Sequence, residues 1–230
     1  MKKLFFVLAL VIASLPFNSF AQKAKTKASV GVTGGITMAN QYGSKGGQLI
    51  KDDQKVGFTL GMVMEKQIGK SNFSFQPGIF YAQKGRIENV SFKEKTYWSL
   101  RYAELQANFL YSVKSDKGVT FFVGGGPTFA ADLPSFAESR VLDADPLTGG
   151  GDNFVKNGSR TVNFGTQASS DFKGPDWGVN MTVGLRSTCG WAVGYNYTIG
   201  LRNIMSVPTG TDALHNHFMG LRLSYWVKNK

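Results

Sequence analysis

Residues 176–200 read DWGVNMTVGLRSTCGWAVGYNYTIG, and they hold the pattern from which the rest of the chain can be understood. Trp177, Val179, Met181, Val183 and Leu185 alternate with Asn180, Thr182, Gly184 and Arg186. A tight turn at Thr188–Gly190 follows, and then Trp191, Val193, Tyr195, Tyr197 and Ile199 alternate with Ala192, Gly194, Asn196 and Thr198. A period of two puts one set on each face of a strand, so this is a hairpin with one bulky apolar face and one small or polar face.

Working outward, the same alternation recurs over 29–38, 56–66, 72–84, 98–113, 119–131 and 217–227, with Val30 to Met38, Val56 to Met64, Phe73 to Tyr81, Ala103 to Tyr111, Val119 to Phe129 and Met219 to Val227 on the bulky rows. That predicts eight strands, each long enough to cross a bilayer when tilted, since ~9–11 residues suffice. The connections alternate in length. Long stretches at 39–55, 85–97, 132–175 and 202–216 are expected as loops, and they alternate with tight turns at Gly69–Ser71, Ser115–Gly118 and Thr188–Gly190. Short turns on one rim and long loops on the other mark a barrel of the bacterial outer membrane.

The polarity of the two faces agrees. An eight-stranded interior is just wide enough for side chains, so the Gly, Ser, Thr, Asn and Gln rows fit inside and the bulky rows fit lipid. A soluble β-barrel, sandwich or ligand-binding barrel would need the reverse. Phe73, Tyr81, Trp98, Tyr111, Phe129, Trp177, Trp191, Tyr225 and Trp226 are expected in the two interfacial girdles. The expected fold is therefore all-β, an eight-stranded antiparallel up-and-down transmembrane barrel, monomeric, with lipid as its surroundings.

Composition sets the outer bounds. The 230 residues suit one domain, charged residues make up only 18%, aromatics reach 13% and there are 28 glycines, which argues against a helical bundle, a coiled coil or a disordered chain. Lys2 and Lys3, the apolar run Leu4–Leu15, Pro16, and small residues at Ser19 and Ala21 read as an export signal over 1–21, cut before Gln22. The run is short for a membrane-anchoring helix, and without a nearby Cys no lipid attachment is expected. Residues 22–28 are then a short periplasmic segment, and 29–230 the barrel with a long external loop at 132–175. Losing Lys2 and Lys3 takes the net charge from +11 to +9. The basic residues are scattered rather than interleaved with aromatics, so nucleic acid is not expected as a partner. Cys189, the single cysteine, excludes an intrachain disulfide.

By strand parity Glu65, Glu104, Arg186 and Arg222 all face inward. Two ion pairs are expected, Glu104 with Arg222 and, deeper, Glu65 with Arg186, bridged by Gln76, Gln106, Asn108 and Asn196, because isolated charges in a narrow lumen would cost several kcal/mol. This network is expected to lock the barrel rather than conduct. No residue is assigned to catalysis, to a cofactor or to a metal. His215, His217 and Asp212 lack a third converging donor pattern. Asp143, Asp145 and Asp152 beside Gly149–Gly151 do not have calcium-loop spacing. Ser206 and Asp212 are not forced into a dyad. Gly124-Gly125-Gly126 lies within a strand and reads as close packing or bending.

Certain short stretches resemble the PorT-like porin family of outer-membrane β-barrel proteins. They are Val30-Gly31-Val32-Thr33-Gly34-Gly35; Phe75-Gln76-Pro77 with Tyr81, Gln83, Lys84 and Gly85; Tyr102-Ala103-Glu104-Leu105; Gly126-Pro127; and Tyr195-Asn196-Tyr197 with Gly200, Leu201 and Asn203. Gln106 stands where that family commonly has Pro, and Gly78 where it has an acid. The resemblance implies the barrel fold and the outer membrane. It also implies, through a member that assists protein secretion, an accessory role in a secretion apparatus. The expected function is a structural or interaction role through the external loops, where a protein partner would bind, with the secretion role as the alternative and a small-solute porin disfavoured by strand number.

Overall fold

In a computed structural model, residues 28–142 and 154–227 are described. They form β1 (Ser29–Lys45), β2 (Gln48–Leu49), β3 (Lys55–Gln67), β4 (Phe73–Ser91), β5 (Glu94–Lys114), β6 (Thr120–Leu142), β7 (Phe154–Thr161), β8 (Asp176–Arg186), β9 (Trp191–Gly200) and β10 (Ala213–Val227). Eight of them, β1, β3, β4, β5, β6, β8, β9 and β10, pair with their neighbours in chain order, all antiparallel. β10 then pairs with β1 from Val30↔Val227 to Ser44↔Ala213 and closes the ring. Closure leaves no open edge, so the backbone polar groups of the wall bond to each other, as hydrocarbon surroundings demand. β2 hairpins onto β1, and β7 pairs with β6 off the ring.

The two faces sort by size. Val32, Ile36, Phe58, Leu60, Met62, Ile79, Phe109, Val193, Leu221 and Leu223 point outward and are half exposed or more. Thr33, Thr37, Thr59, Asn108, Asn180, Asn196 and Thr198 are buried inside. Outward-facing aromatics pair near the short-turn rim, Phe73 with Tyr111 (5.1 Å) and Trp191 with Tyr225 (5.0 Å). Tyr81, Phe129 and Trp177 face out on the rows further from that rim. Phe73 and Tyr81 lie eight residues apart on β4, ~26 Å along a strand and ~20 Å of height at the usual tilt, close to the ~25 Å apolar band of such barrels.

Two of the aromatics expected in the girdles are not there. Trp98 and Trp226 are buried inside, at opposite ends of the lumen. Parity explains both: Trp98 shares a face with Tyr102 and Glu104, and Trp226 with Arg222 and Ser224. An aromatic near a strand end is ambiguous until its face is fixed.

The expected loops are largely strand. β4 runs to Ser91 and β5 starts at Glu94, so 85–97 holds a two-residue turn. β6 carries 132–142, β7 takes up 154–161, β1 extends to Lys45 and β10 begins at Ala213. The ladder continues above the apolar band through pairs such as Glu88↔Thr96 and Lys95↔Arg140, where polar residues no longer alternate with lipid-facing ones. The period of two fades there because polar side chains stand on both faces, while the hydrogen bonds persist.

Residues 162–175 fold over the mouth. Val162 N–H donates to the Ser135 carbonyl (2.9 Å) and Lys173 N–H to that of Ile204 (2.7 Å). Phe172 is thereby set against Trp98 edge-on at 5.0 Å. Trp98, Leu100, Tyr102, Phe172, Ile204 and Leu214 form an apolar cap inside the long-loop end of the barrel.

Candidate functional site: the barrel interior

Directly beneath the cap lies a charged layer. Lys84 Nζ on β4 is 2.7 Å from Glu104 Oε2 on β5 and 3.7 Å from Asp176 Oδ2 at the start of β8. The Lys84 ammonium also lies over the rings of Tyr102 (5.1 Å) and Phe218 (5.0 Å). Gln106 links the layer downward, donating from Nε2 to Glu104 Oε1 (2.6 Å) and accepting at Oε1 from Arg222 Nη1 (3.1 Å). Arg222 packs its guanidinium on Phe80 at 4.4 Å. On the other side Asn216 donates to Asp176 (3.0 Å) and accepts from Gln41 (2.8 Å). Lys84, Glu104, Asp176 and Arg222 are each no more than 6% exposed, and their formal charges cancel. Buried charges persist only when so paired and bonded.

A second neutral pair sits toward the short-turn end. Arg186 Nη2 contacts Glu65 Oε2 at 2.5 Å, and the same carboxylate accepts from Ser74 (2.9 Å) and Gln76 (3.4 Å). The Arg186 guanidinium lies over Trp226 at 4.2 Å. Between the two charged groups, Asn180 donates to Asn108 and accepts from Thr198, each at 3.0 Å. Asn196 lines a void of about 30 Å3 shared with Thr182, Gln76, Arg186 and Arg222, room for about two waters.

Of the residues expected inside, the structure brings Glu65 to Arg186 and Gln76, and Glu104 to Gln106. It does not bring Glu104 to Arg222 directly. The ion-pair partner of Glu104 is Lys84, and Arg222 reaches the carboxylate through Gln106. Lys84 ends the alternation over 72–84 with the parity of Gln76, but parity alone does not name Glu104 as its partner. Asp176 has the parity of Asn180 and Thr182 and was likewise legible. Tyr102, Gln41 and Asn216 lie on inward rows, but nothing in one strand says they meet.

The remaining candidates are dispersed. His215 and His217 each stack on Tyr42 at 5.3 Å, and Asp212 accepts from the Gly46 N–H at 2.8 Å. Among the described residues no group of three or more His, Cys, Asp or Glu side chains is placed to hold a metal ion. Asp143, Asp145 and Asp152 lie outside the described residues. Gly124 and Gly126 do mark close packing: a Cβ would fall 2.0 Å from the Phe109 carbonyl oxygen at the first and 1.9 Å from that of Ala107 at the second.

The family model for the outer membrane protein beta-barrel domain matches residues 20–206. Solved structures similar to the chain include the attachment invasion locus protein Ail of Yersinia pestis, at 11% identity over 89% of this chain and 100% of that one, with a TM-score of 0.38. Neisserial surface protein A (NspA), from Neisseria, is 13% identical over 86% and 98%, with a TM-score of 0.40. The outer membrane protein OprG of Pseudomonas aeruginosa is 8% identical over 89% and 98%, with a TM-score of 0.41. No curated protein matches the chain.

Proposed function

Because this chain belongs to the family of the outer membrane protein beta-barrel domain, we propose that it serves the bacterial outer membrane as a sealed barrel with a structural or interaction role, carried by the rim where residues 39–55, 85–97, 132–142, 154–175 and 202–216 gather. Its polar network, Glu65, Glu104, Arg186, Arg222, Gln76, Gln106, Asn108 and Asn196, acts as a lock that fixes the wall and blocks the lumen. The carrying observation is the neutral layer of Lys84, Glu104, Asp176 and Arg222 under a dry cap. A solute would have to displace both, and eight strands leave no width to spare. The reading includes no catalysis and a monomer, with a protein partner at the outward-facing rim. Purified barrel in planar bilayers should give no stable conductance steps; lasting open pores would overturn the sealed reading.

The resemblance to PorT-like proteins in Phe75-Gln76-Pro77 and Tyr195-Asn196-Tyr197 favours a narrower version, an accessory component of a protein-secretion apparatus. Affinity capture of the tagged barrel from detergent-solubilised outer membranes should recover secretion components reproducibly. Capture of none would remove that version and leave the broader one.

A further inference from the structure

Among the described residues, Arg101 and Lys55 at the long-loop end of the wall make no ion pair. Arg101 is on the outward row of β5, opposite Gln83 and Leu133, one outward step beyond the Tyr81, Ala103 and Ala131 row. It therefore stands just above the upper aromatics, at headgroup height. Its guanidinium lies over Phe136 at 4.6 Å, its buried Nε has no acceptor, and it makes no ion pair among the described residues. Lys55, at the start of β3, points its ammonium at the Val56 carbonyl (3.4 Å) rather than at a carboxylate. Lys55 lines an outer cleft of about 380 Å3 with Ile87, Tyr97, Phe136, Glu138 and Arg140. Glu138 is the carboxylate of that cleft, and it is already held by Arg140 (2.7 Å) and Lys156 (3.4 Å). Lys55 and Arg140 thus share a cleft whose carboxylate, Glu138, is already paired. Like charges brought together without a counter-charge repel, unless an anion joins them.

Below the cations the wall is hollow. Leu60, Ile79, Tyr81, Ala103 and Leu133 line an apolar groove of about 460 Å3. Through Met62 and Ile79 it runs on into a second hollow of about 600 Å3 over Pro77, Ala107 and Pro127. The trench exists because Ala103 and Ala107 are short beside Ile79 and Phe129, and it ends at Leu133, the β-ladder partner of Arg101.

We propose that the outer face of β3–β6 holds one lipid of the outer leaflet, its headgroup phosphate on Lys55 and Arg101 and an acyl chain in the trench below. A chain-shaped apolar trench and an anion site at its headgroup end suit a phosphorylated lipid and neither free phosphate nor a neutral lipid. This extends the membrane placement of the barrel and does not depend on what its rim binds.

The test is native mass spectrometry of the folded full chain released from nonionic detergent. The probes are lipid A with one phosphate, the same lipid stripped of that phosphate, and inorganic phosphate. Lipid A should be retained as a single adduct, and removal of its phosphate should weaken retention. K55Q and R101Q should each weaken it about fivefold, and together about 30-fold. A103F, which fills the trench without touching a charge, should also release the lipid, and millimolar inorganic phosphate should not displace it. Equal retention of the two lipids by the unaltered barrel would overturn the proposal, and that comparison needs no variant to fold. So would wild-type retention by a heat-modifiable K55Q/R101Q double variant, or displacement by inorganic phosphate alone.

Discussion

Replacing Lys84 by Met removes the one cation that touches both Glu104 (2.7 Å) and Asp176 (3.7 Å). Both side chains are at most 2% exposed, so water cannot take its place. The layer goes from neutral to a net charge of −1, with Arg222 held off by Gln106. Breaking a buried pair by removing one partner costs about 3–5 kcal/mol. At a urea sensitivity of about 2 kcal/mol per molar, the unfolding midpoint should fall by about 2 M. The assay is urea unfolding of the barrel in lipid vesicles, followed by tryptophan fluorescence and by heat-modifiable migration. Glu104→Gln should cost less, about 1–3 kcal/mol, because the ammonium keeps Asp176. The double variant K84M/E104Q returns the layer to neutrality and should cost at least about 2 kcal/mol less than the sum of the two. A K84M cost below about 1 kcal/mol, or costs that add within about 0.5 kcal/mol, would refute the view that charge neutrality holds this layer together.

Three further outcomes are expected. Phe172→Ala empties the centre of the cap, where the ring is 3% exposed. At about 3–5 kcal/mol for such a truncation, residues 162–175 should become cleavable by added protease while the barrel stays folded; an uncut segment would argue against the cap. Gly126→Val drives side-chain atoms into the Ala107 carbonyl and should cost about 1–3 kcal/mol, whereas Gly158→Ala, whose Cβ would meet nothing within 4 Å, should be neutral by the same urea assay. The Arg160–Asp171 clasp (2.6 and 2.8 Å) pins the cap from the rim, and hydrogen bonds from Arg160 hold the Asp171 pKa below its ordinary value. A depressed carboxylate stabilises the fold above its unfolded pKa of about 3.9 and loses that contribution as pH falls toward the folded value. The Asn163 amide, which donates to Asp171 (2.9 Å), should then lose hydrogen-exchange protection below about pH 4 after correction for intrinsic rates. Protection that is flat down to pH 3 would contradict the clasp.

The short-range signals located the wall well. Alternation at Trp177–Leu185 and Trp191–Ile199 placed strands now seen as β8 and β9, since a period of two is a property of neighbouring residues. It fails over 85–97 and 132–142, paired strands that carry polar residues on both faces, although Arg86, Ser135 and Ala137 are buried on the inner one. Trp98 and Trp226 misled for a related reason, since an aromatic at a strand end serves a lipid interface or an interior equally well by composition. Lys84 and Asp176, the end residues of the alternations over 72–84 and from 176, share the inward parity of Gln76 and Asn180.

The sequence by itself determined the number of wall strands, the sorting of bulky from small faces, and the inward parity of Glu65, Glu104, Arg186 and Arg222. Each of these follows from side-chain direction along a single strand. Only the closed ring decided who meets whom. Glu104 meets Lys84 within the β4–β5 hairpin, but whether Arg222 reaches Gln106, or Asn216 finds Asp176, depends on the stagger between strands far apart in the chain. So does the seating of Phe172 against Trp98. The short turns fix the stagger within each hairpin, but the pairing of β10 with β1, which closes the ring, joins the two ends of the chain.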